Sequence, residues 1–387
     1  MKPLAVYVHI PFCIVKCGYC DFNAYAGLDH LKPSYQQAVV SEIGRYRELL
    51  STREVTSIAF GGGTPGEVPA ADIAAMVRAV RDAAGAVASD AEVALEANPG
   101  TTTLDQLRDL RSGGVTRISF GAQSFLADEL RFLDRIHSPE AIGASVRAAR
   151  TAAIPSVGLD LIYGLPGQSL DRWLVSVQSA LALGIDHLSL YCLTVEDGTP
   201  LARRVARGDV LPLDGDASAD QYEAANELLE ANGFVHYEVS NWARPGHESQ
   251  HNQAYWIDRD YLGLGAGAHG YVDGMRYENI ASPAAYIEAL RLPGSSAVVA
   301  SYRPDTATAM GDWLATGLRR LAGVDAAQFE MRFGVALDAT VGPVLDSCVS
   351  AGVLEEHADS YRLTRRGLLL HGEVAAELVA HLQSSAP

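Results

Sequence analysis

The chain is poor in cysteine, in positive charge and in long apolar runs, and each shortage removes a class of protein. Five cysteines among 387 residues are too few for the disulfide framework that small secreted domains depend on. Lys and Arg number 30 against 47 Asp and Glu, a formal charge of −17, which argues against binding nucleic acid or anionic lipid over the whole surface. No apolar run reaches the length of about 18 residues that a membrane-spanning helix needs. The first apolar stretch, Leu4 to Ile10, stops at Pro11 and Cys13 and is too short for a signal-peptide core. These shortages lead us to expect a cytoplasmic protein that meets a membrane only through partners. Internal repeats and low-complexity tracts are missing too.

What is present supports a large core: 48% of residues are hydrophobic and 20% charged, ordinary values for a globular chain. Short β-rich runs alternate with helical stretches through the first half, the pattern of repeated βα units around a parallel sheet. Strands are expected near Leu4–Ile10, Val55–Phe60, Glu92–Glu96, Thr116–Phe120, Val157–Tyr163 and His187–Tyr191. Helical spacing of apolar residues fills the gaps over Ser34–Leu50, Ala70–Ala84, Leu104–Ser112, Pro139–Ala153 and Ser169–Leu183. Six units fall short of the eight in a closed (β/α)8 barrel, so an α/β fold with a partial (β/α)6 barrel is expected, its working loops at the C-terminal strand ends. Further on, Ala219–Asn232 reads as a helix and His236–Val239 as a short strand, and Leu-Pro-Gly-Ser-Ser after Arg291 reads as a linker. Beyond it the chain is mostly helical. A hairpin around Val353–Glu355 and Tyr361–Leu363 and a last helix over Thr364–His381 make a small winged-helix-like domain. The boundary is placed between 290 and 291, giving domains 1–290 and 291–387.

Three of the five cysteines, Cys13, Cys17 and Cys20, crowd into the loop after the first strand as CxxxCxxC. Thiolates suit zinc or an iron–sulfur cluster. A structural zinc site needs a fourth Cys or His, for which His9 is the candidate, and three reduced structural thiols are the plainest alternative. A cubane held by three cysteines instead leaves one iron for a non-protein ligand. Gly61-Gly62-Gly63-Thr64-Pro65 follows the second strand; by itself such a run marks no more than a tight turn. Glu96, Gln123, Arg135 and Asp160 sit in or just after apolar strands, where a polar group without a partner is costly. The alternating Gly263, Gly265 and Gly267 before His269 read as a tight connection or a pocket wall. Cys192 and Cys348 read as buried thiols.

The cysteine loop and the GGGTP run together resemble the radical S-adenosylmethionine (SAM) superfamily. That resemblance implies a [4Fe-4S] cluster on Cys13, Cys17 and Cys20, with the methionine end of SAM chelating the open iron. One electron then cleaves the sulfonium to methionine and a 5′-deoxyadenosyl radical. It also implies a SAM pocket formed by Gly62, Gly63, Thr64, Glu96, Gln123, Arg135 and Asp160, positions that resemble those of the oxygen-independent coproporphyrinogen oxidase-like branch. Tyr7 and Tyr19 are similar to cofactor-contacting aromatics there.

Two groups share that branch. The coproporphyrinogen III dehydrogenases carry a further cysteine two positions after the third cluster ligand, where this chain has Phe22. The HemW family of haem chaperones lacks that cysteine and carries HNxxYW, which His251-Asn252-Gln253-Ala254-Tyr255-Trp256 matches. Imidazole is a usual axial ligand of haem iron, so His251 is the expected haem contact, with Tyr255 and Trp256 packing on the macrocycle. The resemblance to HemW implies haem, acceptor haemoproteins and an electron donor as partners. The enzyme reading, oxidative decarboxylation of two propionates to vinyl groups, is the alternative.

Overall fold

A computed structural model describes residues 1–292 and 294–385; Pro293 of the expected linker lies outside the described residues. Its centre is a run of parallel strands in chain order: β1 Lys2–Ile10, β2 Arg53–Gly62, β3 Ala86–Ala97, β4 Arg117–Gln123, β5 Ser156–Tyr163 and β6 His187–Cys192. These strands are apolar almost end to end because helices cover their outer face; in β1, for example, Leu4, Ala5, Val6 and Val8 are wholly buried. The covering helices are α1 Lys32–Arg45, α2 Ala70–Ala83, α3 Leu104–Ser112, α4 Pro139–Thr151 and α5 Leu170–Ala182. In α2, Ile73, Met76, Val77, Val80 and Ala83 are buried, the spacing of one helix face. Every barrel strand and helix expected from the sequence is present, with the first helix ending at Arg45 before a short turn of helix at Arg47–Ser51.

The sheet extends beyond the six units at both edges. On one side α6 Gly215–Ala231 leads to β7 Val235–Glu238 and β8 Asn241–Ala243, the latter antiparallel to β6. On the other, α7 Gln250–Trp256 precedes β9 Tyr261–Leu264, which pairs parallel to β1; β10 His269–Val272 and β11 Met275–Asn279 follow, then α8 Pro283–Arg291 and β12 Val298–Tyr302. The order is β12-β11-β10-β9-β1-β2-β3-β4-β5-β6-β8-β7. β12 pairs with β11, Arg276 opposite Tyr302 and Asn279 opposite Val298, so the sheet continues past the boundary expected at 290/291.

The helical region starts with α9 Thr306–Gly317, followed by β13 Val324–Asp325, α10 Ala326–Phe333, α11 Leu337–Ser350, β14 Leu354–His357, β15 Ser360–Leu363, a turn of helix at Arg365–Leu369, and α12 His371–Ser385. Three helices and a three-stranded sheet β13-β15-β14 give the winged-helix order. Backbone bonds tie it to the barrel edge: Val239 N–H donates to Arg319 O at 2.9 Å and Leu321 N–H to Tyr237 O at 3.2 Å.

The glycines at 263–267 make a tight connection under β1. Gly265 has φ of +96°, and a Cβ there would stand 2.5 Å from His9 O, so only glycine fits. Its N–H donates to the buried Glu42 carboxylate at 2.9 Å, and Ala266 N–H donates to Tyr35 Oη at 2.7 Å.

Trp173 on α5 is wholly buried and donates through Nε1 to Gln221 O on α6 at 2.8 Å. Truncation of a buried Trp typically costs about 3–5 kcal/mol, so Trp173→Ala should lower the unfolding free energy by that amount in urea titration followed by circular dichroism.

Candidate functional site

The C-terminal ends of β1–β6 open into one cavity of ≈ 460 Å³. Cys13, Cys17, Cys20 and Tyr19 line it from the loop after β1, Gly62, Gly63 and Thr64 from the end of β2, and Glu96, Gln123 and Asp160 from β3, β4 and β5. Arg135 joins them from the loop after the helical turn Ala127–Phe132. Residues spread over nearly 150 positions of sequence therefore meet because parallel strands present their ends side by side. Tyr7 and His251 are placed elsewhere. They line a smaller cavity of ≈ 230 Å³ inside the barrel, which shares Glu96, Asp160 and Tyr191 with the first.

Backbone contact fixes the cysteine loop. Gly63 N–H donates to Ile10 O at 2.8 Å and Thr64 N–H to Phe12 O at 2.7 Å. A Cβ on Gly63 would lie 2.6 Å from Phe12 O, and Gly62, at φ +108°, faces the His9 ring so closely that a side chain would overlap it. The glycines are thus required by the approach of β2 to β1 itself.

A polar chain then runs around the rim. Cys13 Sγ and Thr64 Oγ1 lie 3.4 Å apart, and Asn98 Nδ2 donates to the same hydroxyl at 3.0 Å. Arg135 bonds Asn98 Oδ1, donates to Gly121 O at 2.7 Å and reaches Cys17 Sγ at 3.5 Å. Burial pushes the Cys13 and Cys20 thiols up. Gln123 adopts φ +64°, an uncommon backbone state for a residue other than glycine. Sequence reasoning missed Asn98, Tyr191, Cys192 and Thr194, all of which line the cavity. Asn98 follows Glu96 in Glu-Ala-Asn-Pro and carries the same signal, a polar residue at a strand end. Cys192, expected to be buried, is exposed because β6 ends at the cavity mouth; Cys348 is buried as expected.

The donor set fits a multi-iron cluster. Cys13, Cys17 and Cys20 line one cavity, and three soft thiolates with no fourth protein thiol beside them suit an iron–sulfur cluster that leaves one iron to a non-protein ligand. Zinc with His9 fits poorly, since His9 Nδ1 pairs with Tyr7 Oη at 3.0 Å and Nε2 with Asn23 O at 2.9 Å. Phe22 stands at the mouth, 64% exposed.

Two carboxylates floor the cavity. Burial, reinforced by the Asp160 charge, pushes Glu96 up to about 7. Asp160 is also raised by burial, with hydrogen bonds from Ser189 and Ser119 opposing it; Ser119 Oγ donates at 2.9 Å.

His251 is held by a separate device. Ser249 caps α7, its hydroxyl accepting from Asn252 N–H at 3.2 Å. The buried Glu92 carboxylate takes the N–H groups of Gln250 and His251 at 3.3 and 3.1 Å, a favourable place for negative charge. Arg117 Nε donates to Glu92 at 2.6 Å. The imidazole is 3% exposed, with Nδ1 2.9 Å from Ser57 Oγ and Nε2 2.9 Å from Tyr255 Oη. Burial lowers its pKa to about 4. The structure thus closes both ring nitrogens of the expected haem contact, which a sequence motif does not disclose.

The Glu96 shift has a measurable sign. An unfolded Glu titrates near 4.3, so between that value and about 7 the folded state holds a proton that the unfolded state has lost. Stability from this group is therefore full at low pH and is lost as pH rises through about 7. Glu96→Gln should lessen the fall in apo-protein melting temperature between about pH 5 and pH 8, measured by scanning calorimetry.

Residues 7–180 match the radical SAM superfamily and residues 307–370 the HemN C-terminal domain. The heme chaperone HemW of Mycobacterium tuberculosis is 39% identical over 98% of this chain and 95% of its own length. HemW of Escherichia coli is 36% identical over 95% and 96%, and that of Bacillus subtilis 32% over 98% and 100%. Among solved structures, coproporphyrinogen III oxidase (HemN) from Escherichia coli, described as a radical SAM enzyme, superposes with a TM-score of 0.85 over 98% of this chain and 91% of its own at 24% identity, a likeness of fold. By near-full-length similarity to these chaperones, the chain belongs to the HemW family within the radical SAM superfamily.

Proposed function

We propose that the protein binds haem and delivers it to acceptor haemoproteins from a radical SAM scaffold. The observation that carries this reading is the near-full-length likeness to haem chaperones in a chain with Phe22 where the dehydrogenase pattern has a cysteine. HNxxYW at 251–256 supports it.

Cys13, Cys17 and Cys20 would hold a [4Fe-4S] cluster, and Gly62, Gly63, Thr64, Glu96, Gln123, Arg135 and Asp160 would surround SAM. Together these groups can supply a single electron to the SAM sulfonium. The chain's own part is positional. Arg135 places fixed positive charge beside Cys17, and Asn98 locks Thr64 toward Cys13. Glu96, pushed up to about 7, would be driven toward its ionised form by a cationic ligand, which it could then hold by accepting a hydrogen bond. Tyr7 would stand behind Glu96, and Tyr19 beside the cluster. An electron donor completes the requirement, and among the described residues no helix is long and apolar enough to cross a membrane.

Anaerobic reconstitution with iron, sulfide and SAM, followed by haem titration under visible spectroscopy and a parallel assay on coproporphyrinogen III, tests the reading. Saturable haem binding without a vinyl product is expected. Turnover to protoporphyrinogen would replace it with the dehydrogenase reading, which the HemN-like fold accommodates. Cys17→Ser should abolish the iron–sulfur absorbance near 400 nm in the same preparation while leaving the far-ultraviolet dichroism unchanged.

A further inference from the structure

The two ring nitrogens of His251 are closed by partners of opposite kinds. Nδ1 lies 2.9 Å from Ser57 Oγ, and Nε2 lies 2.9 Å from Tyr255 Oη. Ser57 belongs to the middle of β2, paired on one side with Ala5 of β1 and on the other with Glu92 of β3. It is wholly buried, so strand pairing on both sides fixes its position. Tyr255 sits four residues after His251 on α7 itself, on the same helix face, and is only partly buried. Resting on the haem reading above, we infer that Ser57 is the positioning residue of the haem-binding histidine, holding Nδ1 while Nε2 takes the iron, and that Tyr255 is a removable cap on Nε2.

The cavity decides which nitrogen has which part. His251 and Tyr255 both line the ≈ 230 Å³ chamber inside the barrel, whereas Ser57 does not. A ligand that reaches the imidazole from that chamber therefore meets the Tyr255 side, and Nδ1 stays turned to β2. The chamber is smaller than the roughly 300–1,000 Å³ of small-molecule sites. Displacing the Tyr255 ring, one of its walls, enlarges it on the side where Nε2 is uncovered. The cap can turn without carrying the histidine with it, because the Glu92 carboxylate holds the His251 N–H at 3.1 Å.

The chemistry agrees with this division. An imidazole that ligates through one nitrogen carries its hydrogen on the other, and the acceptor of that N–H sets the ring orientation and the ligand basicity. Ser57 Oγ is suited to be that acceptor, since His251 is its one hydrogen-bond partner among the described residues. Burial also keeps the ring neutral near pH 7, its pKa lowered to about 4, and neutral imidazole is the form that binds metal. Tyr7 stacks on the ring with centroids 6.2 Å apart, a second restraint on its plane.

Haem titrations of the full-length reconstituted protein, with the dissociation constant and the Soret maximum at saturation as readouts, test the assignment. Ser57→Ala should weaken binding by about 10–100-fold, the usual effect of losing an outer-shell partner, and shift the Soret maximum. Tyr255→Phe should act in the opposite direction, tightening binding by roughly fivefold, because one neutral hydrogen bond no longer has to be broken. In a His251→Ala background, Ser57→Ala should cost nothing further, since a residue that acts through the imidazole has nothing left to act on; a merely structural role would add its own loss. Wild-type affinity in Ser57→Ala, an added loss in the double variant, weaker binding by Tyr255→Phe, or wild-type binding by His251→Ala would each overturn the assignment while leaving the haem reading standing. Failure of the wild type to bind haem would remove the haem reading itself, and this inference with it.

Discussion

The site depends on one close approach of two strand ends. Where β2 leaves the sheet, Gly63 and Thr64 donate their N–H groups to Ile10 and Phe12 of the segment leading into the cysteine loop. That contact leaves no volume for a side chain, as the positions a Cβ would take at Gly62 and Gly63 make plain. A loop carrying three thiols would otherwise be free to move, and fixing it costs conformational entropy. Here the two backbone bonds at its base fix it, and the chain through Thr64, Asn98 and Arg135 ties its far side at Cys17. Any side chain larger than hydrogen at Gly63 pushes the cysteine loop away from the ends of β3 and β4.

Polar residues at the floor of the barrel follow a second rule. Glu96 and Asp160 line the cavity from neighbouring strands of the barrel, and partial desolvation there holds both carboxyls above their ordinary range. Each tolerates burial differently. Asp160 has serine hydroxyls from β4 and β6, while Glu96 has the backbone N–H of Gly62. On the same strand, Glu92 is buried with Arg117 as a close ion pair at 2.6 Å, and its two oxygens also take the N–H groups at the start of α7. Two glutamates four residues apart on β3 thus do different work: one faces the cavity, the other holds a helix.

Much of this was legible in the sequence because strand and chemistry coincide there. A run such as Leu-Asp-Leu-Ile-Tyr-Gly announces both a buried strand and its one anomalous polar residue, and the barrel order followed from it. What stayed hidden are relations between distant parts of the chain. Ser57 is one residue of a largely apolar strand, and only the fold brings the His251 ring against it. Asn98 lies just beyond the end of β3, and its tie to Thr64 and Arg135 joins residues far apart in the chain. The burial of His251 was equally unreadable, since HNxxYW specifies residue types without specifying what packs over them. The edge strand Val298–Tyr302 was missed because alternation over five residues, four of them exposed, gives no apolar face to recognise.

Tyr191, Cys192, Leu193 and Thr194 line both the cavity at the strand ends and a larger one of ≈ 750 Å³ beside the C-terminal domain. The two chambers are therefore separated by a partition one segment thick. A ligand in either chamber would touch the same four residues, and any change of rotamer it imposed there would enter both binding equilibria as a common term. Linkage makes such a term reciprocal: the factor by which the first ligand alters affinity for the second equals the factor by which the second alters affinity for the first. A substitution within 191–194 therefore alters the walls of both chambers at once.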